Sequence, residues 1–400
     1  MNPTTISAFQ SLETPFYYYD KALLQSTLRA ITDEVSQYDN FHVHYAIKAN
    51  ANPQLLPLIA QEGLGADCVS GGEIQRALDA HFPANQIVFA GVGKTDKEIL
   101  LALEHDIFSF NVESIPELLV INELAQQVNK IANVCLRINP NVGAHTHTHI
   151  VTGLAENKFG IDLSDMLEAI KIAQSLSHIH FKGIHVHIGS QILQMNDYID
   201  QCKSINNMLY WLEQNNIVPE VINVGGGLGI DYQQPERNPI ANFKDYFALY
   251  AKHLKYKPGQ SVHFELGRSI VGQCGALITR VLYVKQNYMH GHVQSSLTTT
   301  YPSASITKQF VIVDAGMTEL IRPALYQAHH VIVNLTSISP ILQTYDVVGP
   351  ICESSDVFAS SIPLPTTQRG DLIAILSAGA YGETMASCYN CRTLPRTYVF

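Results

Sequence analysis

Between residues 41 and 267 the chain repeats one unit, a short apolar run followed by a longer stretch with apolar residues at helical spacing. Eight runs have strand character: His42–Ile47, Gly65–Val69, Ile87–Ala90, Ile107–Asn111, Val134–Ile138, Gly183–Ile188, Val221–Val224 and Val262–Glu265. Leu55, Leu56, Leu58 and Ile59 lie at helix spacing between the first two, as do Ile74, Ala77 and Leu78, then Ile99, Leu100 and Leu103, further on. Eight strands alternating with helices over about 230 residues predict an α/β fold, a parallel (β/α)8 barrel.

In such a barrel the chemistry gathers at the C-terminal ends of the strands. Lys48 then ends the first strand, Asp67 and Ser70 the second, and Glu113 follows the fourth. Arg137 ends the fifth, His187 and Ser190 the sixth, Gly225-Gly226-Gly227 the seventh, and Glu265 with Arg268 the eighth.

After Arg268 the pattern changes. Ala276–Val284, Phe310–Val313, His330–Val333 and Leu372–Leu376 read as strands separated by turns, with few helical patterns. This predicts a C-terminal all-β domain that also takes in the N-terminal segment, where Phe16-Tyr17-Tyr18-Tyr19 reads as a strand. The expected division is a barrel over 30–275 and a β domain from 1–29 and 276–400. Residues 290–309, rich in Ser and Thr, are expected to form a mobile surface loop.

Composition narrows the partners. Of the 400 residues, 46% are apolar and 15% charged, enough for a large core. A net charge of −10 favours neither a nucleic acid nor an anionic membrane as partner, and none is expected. No apolar stretch approaches the roughly 20 residues that span a bilayer. Met1 to Tyr19 shows no basic and apolar leader pattern, so no signal peptide is expected. Seven cysteines, thinly spread, fit free thiols in a reducing cytoplasm.

Individual motifs carry both plain and chemical readings. A lysine after a strand is ordinarily a solvated surface residue. Lys48 gains interest because a Schiff-base lysine needs burial and cationic neighbours to lower its pKa, and a barrel mouth offers both. Gly225-Gly226-Gly227 exceeds what a tight turn requires, and successive glycines let backbone N–H groups converge on a phosphate. The spacing does not match a dinucleotide fingerprint. Glu265 and Arg268 form either a surface ion pair or a carboxylate and a guanidinium for a ligand. A lysine, a glycine-rich cradle and an acid–arginine pair are together what pyridoxal phosphate needs.

Of His185 and His187 on the sixth strand, only one is expected to face the mouth, and His187 is the better candidate. His145, His147 and His149 have the period-two spacing of one strand face, but no zinc motif is matched and no metal site is expected. Cys388-x-x-Cys391 reads as two free thiols. Cys352 is followed by Glu353 and Asp356. Acidic neighbours keep a thiol protonated, a poor nucleophile but a usable proton donor.

Tyr45–Asn50, Gly65–Glu73, Arg137–Pro140, Thr152–Ile161, His185–Gln191, Asn223–Ile230, Glu265–Ser269, Asp314–Tyr326, Gly349–Asp356 and Gly379–Gly382 run along almost the whole chain. With them the sequence resembles the fold-type III pyridoxal-phosphate decarboxylases. The resemblance implies pyridoxal 5'-phosphate as cofactor and decarboxylation of meso-2,6-diaminopimelate to L-lysine and CO2. It implies that Lys48 holds the cofactor and that Gly226, Gly227, Ser190, Gly267, Arg268 and Tyr381 bind it. His187 would stack on its ring and Glu265 face its pyridine nitrogen. Arg268, Arg322, Tyr326 and Tyr381 would bind substrate, Cys352 donate the proton, and Glu353 recognise the remote ammonium. In that family the last two act in the neighbouring subunit's site, so a homodimer is implied. Arg322 and Glu353 suit a substrate with an amino-acid centre at each end.

Leu266 stands where the family commonly has proline, and Gly143 where it often has an acid. The rivals are a decarboxylase of carboxynorspermidine, ornithine or arginine, a racemase of the same barrel class, and a non-catalytic regulator. The last should have lost the lysine or the glycine run, and both are intact.

Overall fold

The computed structural model describes residues 1–140, 158–289 and 305–400. A first strand, β1 (Phe16–Tyr19), precedes β2 (Phe41–Ala46), β3 (Gly65–Cys68), β4 (Ile87–Phe89), β5 (Ser109–Val112) and β6 (Ala132–Asn139). Then come a two-residue strand β7 (Ile161–Asp162), β8 (Ile179–His185), β9 (Val221–Gly226) and β10 (Ser261–Leu266). Strands β2 to β6 and β8 to β10 pair in parallel in chain order, and β10 returns to β2. The expected (β/α)8 barrel is therefore closed, with β7 added beside β6 outside the ring.

The alternation along each strand explains the layers. Val43, Tyr45, Ala66, Phe110, Leu136, Ile184, Ile222 and Phe264 are buried. Phe264 meets Phe247 and Tyr250 of the helix Phe243–His253 edge-on at ring distances of 5.0 and 5.2 Å. Their neighbours His44, Asp67, Asn111, Arg137, His185, Asn223, His263 and Glu265 are buried and polar; across the lumen His44 bonds to His263, and Asn111, His185 and Asn223 bond to Glu265. Helix starts fix the loops after the strands. The Ser70 hydroxyl accepts the Glu73 N–H to begin the helix Gly71–Asp79, and Thr95 with Glu98 forms a capping box on Asp96–Glu104. Ser70 is thus a helix cap.

By contacts the chain divides into Lys21–Asp231 with Asn238–Gly272, and Met1–Asp20 with Tyr232–Arg237 and Gln273–Phe400. The expected boundary at residue 29 falls inside the helix Lys21–Val35, whose buried Leu24, Leu28 and Ile31 bind that helix to the barrel unit.

The second unit holds β11 (Gly275–Met289), β12 (Ser305–Val313), β13 (Ile332–Asn334), β14 (Leu342–Val348), β15 (Val357–Pro365), β16 (Leu372–Ile375) and β17 (Arg396–Val399). Their order is β13-β16-β11-β12-β14-β15, and β1 lies between β11 and β17. The N-terminal strand therefore joins this sheet, as expected, burying Phe16 and Tyr18 against Phe9, Ile278 and Leu372. Strands β14, β15 and β17 are additions to the sequence reading. They are partly exposed, and β15 carries two serines and two prolines, so their apolar signal is weak. The ends of the expected loop 290–309 include strand β12 from Ser305, and residues 290–304 lie outside the described residues, as do His145, His147, His149 and Gly143. Among the described residues no helix is long and apolar enough to cross a membrane.

Candidate active site

Glu265 organises the C-terminal half of the barrel. Its Oε1 accepts from Asn111 Nδ2 at 2.8 Å and Asn223 Nδ2 at 2.7 Å, and its Oε2 from His185 Nε2 at 3.1 Å. Burial alone would raise this carboxyl. The His185 imidazole outweighs it, with help from Lys48, and holds Glu265 well below the usual carboxylate range. A fixed, buried anion results.

Lys48 lies on the short helical turn Ile47–Ala49 that ends β2. Its Nζ is 3.1 Å from Asp67 Oδ2 at the heart of β3. Burial, then the Glu265 charge, push the Asp67 carboxyl up to about 7, against the pull of Lys48. Lys48 thus faces a carboxyl able to hold or release a proton near neutrality. On the neighbouring strands Arg137 Nη1 donates to Glu113 Oε1 at 2.7 Å, and the Arg137 guanidinium lies 4.7 Å from the Phe159 ring centre.

The β9 turn supplies the cradle. Gly225 and Gly227 have φ of 67° and 103°, a backbone that disfavours any side chain. A β-carbon on Gly227 would stand 2.5 Å from the Gly189 carbonyl. Alongside, buried Arg268 donates to Ser190 Oγ at 3.2 Å. A β-carbon on Gly267 would stand 2.9 Å from that of Ala49, so the end of β10 packs directly on the Lys48 turn.

His187 Nδ1 accepts the Gly226 N–H at 3.2 Å, which places its proton on Nε2. Burial, then the Arg137 and Lys48 charges, lower its pKa well below the ordinary value, so the ring is neutral. The expectation that His185 faces away from the interior is corrected. Residues two apart along a strand point to the same side, and both rings reach the interior.

In the second unit Arg322 is buried and its guanidinium carbon lies 5.6, 5.9 and 6.0 Å from the ring centres of Tyr326, Tyr381 and Tyr232. Three ring faces confine it. Cys352 and Glu353 are exposed on the loop before β15, and Glu353 Oε1 accepts from the Tyr389 hydroxyl at 2.9 Å. All seven cysteines are free. No cluster of three metal-binding side chains occurs among the described residues.

These residues fit pyridoxal phosphate. A carboxylate held ionised is the partner a protonated pyridine nitrogen needs. A glycine turn closed to side chains, with Ser190 and Arg268 beside it, suits a phosphate. The sequence reading lacked the amides of Asn111 and Asn223 and the His185 bond. Their signal was period-two alternation, since Asn111 stands two residues before Glu113 and Asn223 two before Gly225.

Residues 24–272 match the family model of the pyridoxal-dependent decarboxylase, pyridoxal binding domain. Over 98% of its length the chain is 59% identical to the diaminopimelate decarboxylase of Bacteroides thetaiotaomicron, covering 97% of that protein. The solved diaminopimelate decarboxylase of Helicobacter pylori complexed with L-lysine is 39% identical, with a TM-score of 0.88 over 98% of this chain and 93% of that one. The corresponding enzyme of Methanocaldococcus jannaschii, in co-complex with L-lysine, is 34% identical, with a TM-score of 0.87 over 99% of this chain and 89% of that one.

Proposed function

The chain belongs to the pyridoxal-dependent decarboxylases and, within them, to the diaminopimelate decarboxylases, and we propose here how its residues divide the work. The protein is a pyridoxal-phosphate-dependent carboxy-lyase that converts meso-2,6-diaminopimelate to L-lysine and CO2, the last step of lysine biosynthesis. The observation that supports the residue assignment best is the Glu265 carboxylate, held by two amides and one imidazole in a buried site.

Lys48 is the amine that holds the cofactor, and Asp67 beside it takes or returns its proton. When bound, pyridoxal phosphate supplies an aldehyde for an amine and a pyridinium ring that draws off the electron pair left at Cα as CO2 departs. Glu265 would keep the pyridine nitrogen protonated, and His185, Asn111 and Asn223 keep Glu265 ionised. His187, held neutral, would stack on the cofactor ring. Gly226, Gly227, Ser190, Gly267, Arg268 and Tyr381 hold the phosphate side.

Arg268, Arg322, Tyr326 and Tyr381 bind the substrate, with Arg322 taking the remote carboxylate through its fork. Three tyrosine rings pre-set that guanidinium, which lowers the cost of ordering it. Glu353 takes the remote ammonium, and Cys352 delivers the proton to Cα after CO2 has left. Both residues are exposed on their own chain, as groups serving a neighbouring subunit's substrate would be, and a homodimer is the proposed working unit. Seven free thiols support a reducing, cytoplasmic location.

The test is an absorbance spectrum of the purified protein, then CO2 release on adding meso-diaminopimelate and, separately, L-ornithine. A visible cofactor band with CO2 from diaminopimelate alone is expected, and Lys48→Ala should lose all turnover. CO2 from ornithine alone would overturn the roles of Arg322 and Glu353. Full turnover by Lys48→Ala would remove Lys48 from the cofactor.

A further inference from the structure

Glu353 sits on a loop that is tied down at its base and held at its outer turn. At the base, buried Asp356 accepts the Met317 N–H on Oδ1 at 2.6 Å and the Ile351 N–H on Oδ2 at 2.7 Å. Gly349 packs so closely on this carboxylate that a β-carbon there would collide with it, and one on Gly316 would stand 2.7 Å from Ile351 and 3.0 Å from the carboxylate. The backbone beneath Glu353 is therefore fixed, and its N–H bonds to Ile351 O at 2.8 Å. The side chain itself reaches into solvent. Left to itself, a solvent-exposed glutamate samples many rotamers, and ordering it on a ligand costs side-chain entropy.

Tyr389 removes part of that freedom. Its hydroxyl donates to Glu353 Oε1 at 2.9 Å. Tyr389 opens a short turn, Tyr389–Cys391, in which Asn390 and Cys391 have φ of 55° and 58°. Two consecutive left-handed residues give the turn one specific shape. The segment is anchored to the same stretch that Asp356 holds: Ser387 N–H donates to Thr318 O at 2.9 Å, and Arg392 Nε lies 3.5 Å from Glu319 Oε1. Two loops thus rise from residues 314–319 and meet at the Tyr389–Glu353 hydrogen bond. Because both belong to one chain, Tyr389 accompanies Glu353 wherever that loop acts.

We propose that Tyr389 is a specificity-positioning residue: its hydroxyl fixes the Glu353 carboxylate in the orientation that receives the remote ammonium of the substrate. The proposal rests on the reading of Glu353 given above. The hydroxyl takes one carboxylate oxygen and leaves the other to a cation. The bond to Glu353 also pushes the phenol above its ordinary pKa, so Tyr389 stays a donor across the working pH range. Tyr389 touches neither the cofactor nor the reacting carbon in this scheme, and its effect belongs to binding.

Steady-state kinetics of the holoenzyme with meso-diaminopimelate test this on wild type, Tyr389→Phe, Glu353→Gln and the double variant. Tyr389→Phe should raise KM about fivefold with kcat within about twofold, the size of one modest hydrogen bond. Its melting temperature and cofactor absorbance should match wild type, since the ring is half exposed and keeps its shape. The double variant should be no worse than Glu353→Gln alone, because the hydroxyl acts only through that carboxylate. An unchanged KM in Tyr389→Phe beside a raised KM in Glu353→Gln overturns the proposal. So does a double variant in which the two effects multiply. If Glu353→Gln itself leaves KM unchanged, the reading of Glu353 fails first and the proposal falls with it.

Discussion

The two halves of the barrel lumen both bury histidine, but they surround it with different partners. Toward the C-terminal ends, His185 bonds to an ionised carboxylate, and Lys48, Asp67, Arg137 and Glu113 crowd the same space. Toward the N-terminal ends, His44 and His263 bond to each other and to neutral groups. His44 Nδ1 lies 3.0 Å from Gln86 O, His44 Nε2 lies 2.8 Å from His263 Nδ1, and His263 Nε2 lies 2.9 Å from Ser261 Oγ. A carbonyl only accepts, so His44 carries its proton on Nδ1 and accepts on Nε2. His263 then donates from Nδ1, and Ser261 donates to its Nε2. One carbonyl fixes every tautomer in the row, and both rings are neutral. Burial pushes His44 down to about 4 and His263 well below its ordinary value.

An open space lies at the neutral end. A cavity of about 460 Å³ there is lined by His42, His44, His263, Phe108 and Ser261. The charged end, in contrast, is filled with groups that restrain one another. What separates the two ends is the ionised Glu265 and the lysine facing Asp67, and in a barrel of this kind the N-terminal end serves stability.

The largest effect that sharpens this contrast comes from Glu265→Gln. The change keeps the shape and removes the charge. It should lower kcat by about 10²-fold or more, as loss of a preorganised electrostatic partner does, while His44→Asn at the opposite end keeps kcat and KM near wild type. Side-by-side kinetics check both. A kcat for Glu265→Gln within a few-fold of wild type would mean that the anion is not needed, and the contrast would collapse.

How much of this was legible in the sequence follows from the same alternation. Eight strand runs announce the barrel, because strands buried on their outer face keep an apolar rhythm that survives polar inner residues. Lys48, Gly226, Glu265 and Arg268 stand out because strand ends concentrate unusual residue types. Asn111 and Asn223 do not, since an amide in mid-strand looks like any polar residue until a partner from another strand faces it. His185 was misread because it was set on the face opposite His187, whereas residues two apart on a strand share a face. Strands β14 and β15 lay hidden because their faces are only partly buried, so no clean period-two pattern marks them. Tyr232 and Tyr389 owe their placement to contacts far along the chain, which no local pattern encodes.

A smaller effect should appear in stability against pH. A buried neutral histidine has its folded pKa below the unfolded value of about 6.5. Its contribution to stability is therefore complete above about pH 6.5 and is lost as pH falls toward the folded value of about 4. For His44 this amounts to about 3 kcal/mol over that window, shared with its partner His263. Denaturant unfolding at pH 7 and pH 4.5 should thus show wild type losing more stability than His44→Asn. Parallel losses would show that the neutral row does not resist protonation, and that the two ends differ less than their hydrogen bonds indicate.

The smallest effect is expected from Ser261→Ala, and it probes whether the two ends are independent. The hydroxyl donates to His263 Nε2 and lies 3.4 Å from Glu220 O, at the half-exposed wall of the cavity. Removing it strips a neutral acceptor of one partner in a place that water can reach, and a water replaces most of such a bond. The cost to stability should stay below about 1 kcal/mol. His263 and Glu265 stand two residues apart on β10 with side chains on one face, so a rearranged His263 would be felt first at Glu265. Unchanged kcat and KM for diaminopimelate are expected, because His44 still holds His263 Nδ1 and the ring has no reason to turn. A loss of activity beyond about threefold in a variant of near-wild-type stability would mean that the hydrogen-bonded row at the neutral end sets the charge at the catalytic end, and the barrel lumen would have to be treated as one coupled system.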